Sequence, residues 1–201
     1  MRPVYCNGLA SHRERQLDVE SDDQIIRQVV AGDTSAFESL ISRHGDSIHR
    51  FICGVLGDLH GAEDVAQQTW LNVHRNLGQF DSDRGSFKTW MLRIARNLAF
   101  NQLRKTRRSP VCFGTSLPDP VDPRSALDGL QIQEEFARLD AALAQLPSNQ
   151  RSAWTLSELE GLTQREISQV EGVPEGTVKS RVSRAKAALR GVLQKQDELE
   201  R

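Results

Sequence analysis

Between Arg84 and Arg108 the chain carries eight basic side chains, Arg84, Lys88, Arg93, Arg96, Arg104, Lys105, Arg107 and Arg108, and not one carboxylate. Cations crowded onto one element without counter-charges suit a polyanion, because phosphates accept their hydrogen bonds and neutralise them together. A second such cluster spans residues 173 to 195, where six basic residues stand against Glu175. Each cluster follows an acidic stretch. Residues 20 to 83 hold eleven acids and four arginines, and residues 121 to 172 hold nine acids and four arginines. The formal net charge of -1 conceals this alternation. A single basic run is explained as well by a solvated helix face; two, each tied to its own helical pattern, favour phosphate.

Other chemistry finds no constellation. His44 and His49 are five apart, a spacing that does not align two ligands on a helix, and no H-E-x-x-H, Walker or G-x-S-x-G motif occurs. His49 and Cys53 share a helix face, but a core cysteine beside a partly exposed histidine accounts for them. Cys6, Cys53 and Cys112 are odd in number, far apart and in no C-x-x-C pair, which argues against a disulfide framework or a thiolate zinc site. No metal, cofactor or small-molecule substrate is expected, and no enzymatic reaction.

The elements that must position the cations are helices. In 201 residues only 38% are apolar and the mean hydropathy is -0.50, so the core is divided among short amphipathic elements. Apolar positions recur three and four apart, with no period-two run of useful length, which predicts an all-α fold. Ser21-x-x-Gln24 opens a short helix, and longer ones are predicted over Ser35 to Val55, Ala62 to Asn76 and Ser86 to Arg107, with a turn over Gly57 to Gly61. Pro110, Pro118, Pro120 and Pro123 then break the pattern. Two small helical domains joined by a flexible Pro-rich linker follow: a loose arm over 1-20, a first domain over 21-108, the linker over 109-125 and a second domain over 126-195. Helices are predicted there over Ala126 to Gln145, Ser148 to Glu160, Thr163 to Val170 and Pro174 to Gln194. No run of about 18 apolar residues could span a bilayer, and residues 1 to 20 lack a signal-peptide core, so a cytoplasmic protein is expected.

In the second domain, the capping box Thr163-x-x-Glu166, the stop at Glu171-Gly172-Val173 and Pro174 spell helix, tight turn, helix. On the last helix, Val178, Val182, Ala185 and Leu189 fall within about 60° of one another, with Thr177, Ser180, Arg181 and Arg184 opposite. Those hydroxyls and guanidiniums, flanked by Lys179 and Lys186, are donors able to meet phosphates and base edges in a major groove. In the first domain, Met91, Leu92, Ile94, Ala95, Leu98, Ala99 and Leu103 form one half of a wheel. Arg93, Arg96, Asn97, Asn101, Arg104, Arg107 and Arg108 form the other. Phe80, Phe87 and Trp90 sit in or beside the loop just upstream, and cations beside flat rings are what unstacked single-stranded bases require. Each ring taken alone is more simply a staple holding the loop to the core.

Ala31-Gly32-Asp33 with Ala36-Phe37, Ala62-Glu63-Asp64-Val65 with Gln67, and Phe87-Lys88-Thr89-Trp90 before Ile94-Ala95-Arg96-Asn97 resemble the second domain of the extracytoplasmic-function (ECF) sigma factors, small specificity subunits of bacterial RNA polymerase. Leu146-Pro147, Glu160-Gly161-Leu162 and Gly176-Thr177-Val178-Lys179-Ser180-Arg181 resemble their fourth domain. Asn101 stands where the family commonly has Asp, and His74 where it often has Trp. The resemblance implies that the helix from Ala62 binds core RNA polymerase through Asp64, Gln67 and Gln68. It implies that the first domain reads and melts the -10 promoter element through Phe80, Phe87, Lys88, Trp90, Arg93, Arg96, Asn97, Asn101, Arg104 and Arg108, with the loop from Gln79 to Lys88 taking a flipped base. The second domain would read the -35 element through Thr177, Lys179, Ser180, Arg181, Ser183 and Arg184. The linker would thread polymerase channels that otherwise hold RNA, and an anti-sigma factor, often membrane-bound, would hold the protein inactive. The runner-up is a stand-alone helix-turn-helix regulator; a third class is an adaptor for an acidic protein. Limited proteolysis of the free chain should cut between Ser109 and Ser125 before it cuts within 25-100 or 135-190, and protection of that stretch would contradict a tether there.

Overall fold

The computed structural model describes residues 20-57, 59-108, 138-139 and 141-199, which form helices joined by turns, bends and short irregular stretches, with no strand among them. The arm up to residue 19, the linker and most of the helix expected over 126-145 lie outside the described residues.

Helix α1 (Asp22–Val30) starts on the capping box formed by Ser21 and Gln24, and buries Ile25, Ile26 and Val29 at helical spacing. Helix α2 (Ala36–Leu56) is the central rod, buried along Leu40, His44, Ile48, Phe51, Ile52 and Val55. It ends on Gly57, whose φ of 69° lies in the left-handed region that glycine tolerates. That single residue reverses the chain, so α3 (Leu59–Asn76) starts three residues before the expected Ala62 and the anticipated five-residue turn is shorter. Two short 3-10 turns, Leu77–Gln79 and Ser82–Arg84, fill the loop before α4 (Phe87–Arg108). Helices α2, α3 and α4 pack on one another, and α1 closes against α2.

In the second half, α5 (Ser148–Trp154) does not run on to Glu160 as a regular helix. The backbone widens into a π-helical turn over Thr155–Leu159, in which the Glu160 N–H reaches back five residues to the Thr155 carbonyl at 3.1 Å. Helix α6 (Gln164–Glu171) starts on the reciprocal cap of Thr163 and Glu166 and ends on Gly172 at φ 67°. Helix α7 (Glu175–Leu199) follows. The seam expected on it is buried at Val178, Ala185 and Leu189, while Val182 is half-buried.

The two helical domains that the sequence predicted are present, and they pack on one another. Leu156, Leu162, Ile167, Val170 and Val178 belong to the same continuous core as Ile48, Phe51, Met91 and Ala95. Helix α6 lies along α4, and α2 packs against both α5 and the π turn. A smaller cluster of Ala142, Leu143, Leu146, Trp154, Ala185 and Leu189 holds the last helix to its own half. The linker's composition speaks only for the linker, whereas apolar faces left over on α4 and α6 decide whether the halves dock.

The Glu166 carboxyl is held below its ordinary range chiefly by the Thr163 hydroxyl, at 2.7 Å, and then by the Thr163 N–H, at 2.8 Å. A carboxyl lowered in the folded state contributes stability that is present at neutral pH and lost as acid titrates it. Thr163→Ala should therefore lower stability by about 1 kcal/mol at pH 7 in a denaturant titration. The gap from the wild type should narrow below the ordinary carboxylate range, and a constant gap would remove Glu166 from the cap.

Candidate nucleic-acid and polymerase interface

Helix α3 turns Ala62, Val65, Thr69 and Val73 into the core, and the same periodicity leaves Asp64, Gln67 and Gln68 exposed on its outer face. Thr69 is accommodated inside because its hydroxyl donates to the Val65 carbonyl at 2.7 Å. Beside the outer face runs an open groove of about 690 Å³. Asp64, Gln67 and Gln68 lie on its α3 wall and Asn101, Arg104 and Lys105 on its α4 wall. Leu71, which the sequence did not single out, is 54% exposed on the same wall as Asp64.

On α4, Met91, Leu92, Ala95 and Ala99 are buried, while Arg93, Asn97, Asn101 and Arg104 are exposed, as the wheel required. The Arg104 guanidinium donates to the Asn101 side-chain carbonyl at 2.6 Å, so one cation is braced on the next turn. Arg96 stacks over the Phe100 ring, 4.1 Å from its centre. The helix continues to Arg108.

The three rings proposed to meet bases form one cluster. Phe87 meets Phe80 edge-on at 5.6 Å between ring centres and His44 at 5.3 Å, and Phe80 meets Trp90 at 5.7 Å. Phe87 is only 2% exposed, which corrects its assignment as a base contact. It is the first residue of α4 and lies under the loop, so burial of its ring holds the loop down. Phe80 and Trp90 keep part of their surfaces in solvent. His44 is held in turn by Asp22, 2.8 Å from its Nε2.

On the helix-turn-helix, Lys179, Ser183 and Arg184 are exposed and Thr177 is half-buried. The Ser180 hydroxyl donates to the Thr177 carbonyl at 3.0 Å. Lys186 reaches Glu158 at 2.9 Å, and the Glu158 carboxyl sits below its ordinary range through the Ser157 hydroxyl first and Lys186 second. Arg181 departs from expectation. It does not point outward but binds the Glu171 carboxylate at 2.8 Å.

Among the described residues, Glu171 is one of two carboxylates with fully buried side chains, and both face the first half of the chain. It also accepts from Ser152, and Arg96 of α4 lies 3.4 Å away. Glu160, at the end of the π turn, accepts from the Ser47 hydroxyl and pairs with Arg50 at 3.2 Å and Lys88 at 3.0 Å. Lys88 donates as well to the Glu160 backbone carbonyl, at 2.9 Å. Lys88 and Arg96, expected on the DNA face, are thus engaged by the second half. Glu160 was legible only as part of a family motif and Glu171 only as a helix end, because nothing local shows that a carboxylate has a partner 110 residues away.

Residues 40–109 match the family described as Sigma-70 region 2, and residues 136–189 match Sigma-70, region 4. The chain is 35% identical to the RNA polymerase sigma-H factor of Pseudomonas aeruginosa, over 89% of this chain and 96% of that protein. It is 33% identical to the ECF RNA polymerase sigma factor SigM of Mycobacterium tuberculosis, over 94% and 91%. Among solved structures it resembles CnrH in complex with the cytosolic domain of CnrY, with a TM-score of 0.65 and 25% identity, covering 85% of this chain and 95% of that one. It also resembles the sigma factor RpoE of Bartonella quintana in complex with the anti-sigma factor NepR, with a TM-score of 0.64 and 26% identity, covering 79% and 96%. These likenesses lend no support to a stand-alone helix-turn-helix regulator. With two helical regions matched in order and near-complete coverage of its relatives, the chain belongs to the ECF group of sigma-70 factors and is an alternative sigma factor that directs transcription initiation by RNA polymerase.

Proposed function

We propose that the labour of this sigma factor is divided as the two charge clusters suggest. Residues 21-108 bind core polymerase and melt the -10 element, and residues 126-195 read the -35 element. The observation that carries this is the groove between α3 and α4, with Asp64, Gln67 and Gln68 on one wall and Asn101, Arg104 and Lys105 on the other. Asp64 and the two glutamines offer carbonyl and carboxylate acceptors to a basic polymerase surface, with the exposed Leu71 adding apolar contact. The opposite wall offers cations to a DNA backbone running alongside, so polymerase and promoter meet the first half on adjacent strips.

Phe80 and Trp90, half-buried on Phe87, are the platform for an unstacked base. Opening a duplex costs about 1.4 kcal/mol per stacked step, and a preformed aromatic surface offsets part of that cost. Lys179, Ser183 and Arg184 present the second half to its promoter element. By likeness to the Bartonella quintana complex, an anti-sigma factor is the partner that keeps this chain inactive. No described helix is long and apolar enough to cross a membrane, and the protein acts in the cytoplasm as a non-catalytic subunit.

Asp64→Arg in the full chain should weaken co-purification with core polymerase by about tenfold or more, since juxtaposed like charges at an interface cost several kcal/mol. Arg184→Glu should leave core binding intact while transcription from a -35-dependent promoter falls. Normal transcription by the Arg184→Glu holoenzyme would contradict the assignment of the second half. If Arg184 contacts a base, Arg184→Ala should cost about 1-3 kcal/mol at one promoter position; if it contacts phosphate, the loss should be uniform and the salt slope should fall by about one. Phe80→Ala with Trp90→Ala should reduce open-complex formation on duplex promoters more than on templates carrying a preformed bubble. Equal loss on both would make the rings purely structural.

A further inference from the structure

His44 is a buried imidazole that the proposed function leaves unused. It is 8% exposed and stands between Asp22, the first residue of α1, and Phe87, the first residue of α4. Its Nε2 lies 2.8 Å from the Asp22 carboxylate, and because an ionised carboxylate only accepts, that nitrogen carries the proton. The carboxylate is itself anchored. Its other oxygen accepts from Arg43 at 2.5 Å, and Arg43 also donates to the Glu20 backbone carbonyl at 2.9 Å. Asp22 therefore forks onto two neighbouring residues of α2, one oxygen to each.

The imidazole carries the aromatic cluster on its other side. Phe87 stands 5.3 Å from it with the ring planes at 65°, and Phe80 and Trp90 lie against Phe87 at 5.6 and 5.9 Å. No residue from 78 to 86 is buried, so the loop that presents Phe80 has no core anchor of its own. Its ends are set by backbone hydrogen bonds. The Phe80 N–H donates to the carbonyl of buried Leu77 at 3.1 Å, and the Ser86 hydroxyl caps α4 by accepting from the Thr89 N–H at 3.2 Å. Helix α1 packs against the first of these ends as well, the turn Leu77–Gln79. Such bonds fix where the loop begins and ends but not how the rings tilt. The tilt depends on what Phe87 rests on, and on the α2 side it meets the ring of His44.

We propose that His44 is a positioning residue for promoter melting and that Asp22 holds it, so that α1 acts as a splint for the ring surface that Phe80 and Trp90 offer to an unstacked base. The inference rests on the reading of Phe80 and Trp90 as the base platform. A buried N–H requires an acceptor, and a purely apolar side chain would fill the same space without one. Histidine joins a polar anchor on α1 to an aromatic contact on α4 in a single side chain. A ring surface set beforehand lowers the ordering cost of capturing a base.

Three full-length variants, each assembled with core polymerase, separate the parts of this device. His44→Gln keeps a donor for Asp22 but has no ring, His44→Phe keeps the ring but has no donor, and Asp22→Ala removes the anchor at a part-exposed site. Each should slow open-complex formation on a duplex promoter about three- to tenfold, the scale of one lost ring contact or one lost hydrogen bond, with a smaller loss on a template carrying a preformed bubble. The decisive measurement is a cycle with the platform. Because His44 acts through the rings, adding His44→Gln to Phe80→Ala with Trp90→Ala should slow opening by less than about twofold beyond the ring variant. A histidine that only stabilises the fold would add its full effect there, and that result would overturn the proposal. So would His44 and Asp22 variants that open duplex promoter at the wild-type rate. Circular dichroism at the assay temperature checks folding, and if a His44 variant is unfolded, Asp22→Ala, which leaves the imidazole in place, carries the same cycle. A ring variant that itself loses equally on duplex and bubble templates would bring down the platform reading, and the inference with it, by a signature that the histidine variants do not share.

Discussion

Two carboxylates buried at a seam between helices organise this molecule. Glu160 and Glu171 carry no solvent on their side chains, and each must be neutralised in place. The cations that do so, Arg50 and Lys88 for one, Arg96 and Arg181 for the other, come from three helices. Because those helices also carry the core, the ionic seam fixes how α6 lies on α4 and how the π turn lies on α2. Buried pairs of this kind contribute less to net stability than to specificity of arrangement, since desolvation offsets much of their attraction. The stabilisation comes from the apolar residues beneath, Leu156, Leu162, Ile167 and Val170, which join the core of the first half.

Helix α4 shows how one element serves several demands. Its apolar half faces α2 and α3. Arg93, Asn97, Asn101 and Arg104 remain in solvent along one strip, and Asn101 and Arg104 line the groove opposite α3. Lys88 and Arg96, from the same basic run, lie beneath the second half. A run of cations that looks uniform in sequence is thereby split into an exposed set and an engaged set. Their different burial follows from which side of α4 is covered by α6.

The aromatic loop follows a similar division. Phe87, at the first residue of α4, is the buried member and binds the loop to α2 through His44. Phe80 and Trp90 lie against it with part of each ring in solvent. Support and exposure are thus separated within one cluster. The same economy appears at the helix-turn-helix, where Thr163 and Glu166 cap the first helix reciprocally and Gly172 ends it. The recognition helix is thereby held by local backbone chemistry as well as by the Val178, Ala185 and Leu189 seam.

Local rules sufficed for much of this. Helical periodicity, the capping boxes at Ser21 and Thr163, and the outer face of α3 with Asp64, Gln67 and Gln68 are all written in neighbouring residues, because hydrogen bonds and burial patterns within a helix depend on positions three and four apart. The two motif sets likewise carry the family, since their order survives in the residues themselves. Three things were decided only by tertiary structure: the burial of Phe87, the engagement of Lys88, Arg96 and Arg181, and the docking of the two halves. Each depends on contact between segments distant in the chain, and residue type alone does not specify which charge meets which. Glu160 and Ser47 stand 113 residues apart. Only the packing of an apolar seal brings them together, and that packing turns the carboxylate at the end of the π turn into the partner of Lys88 and Arg50.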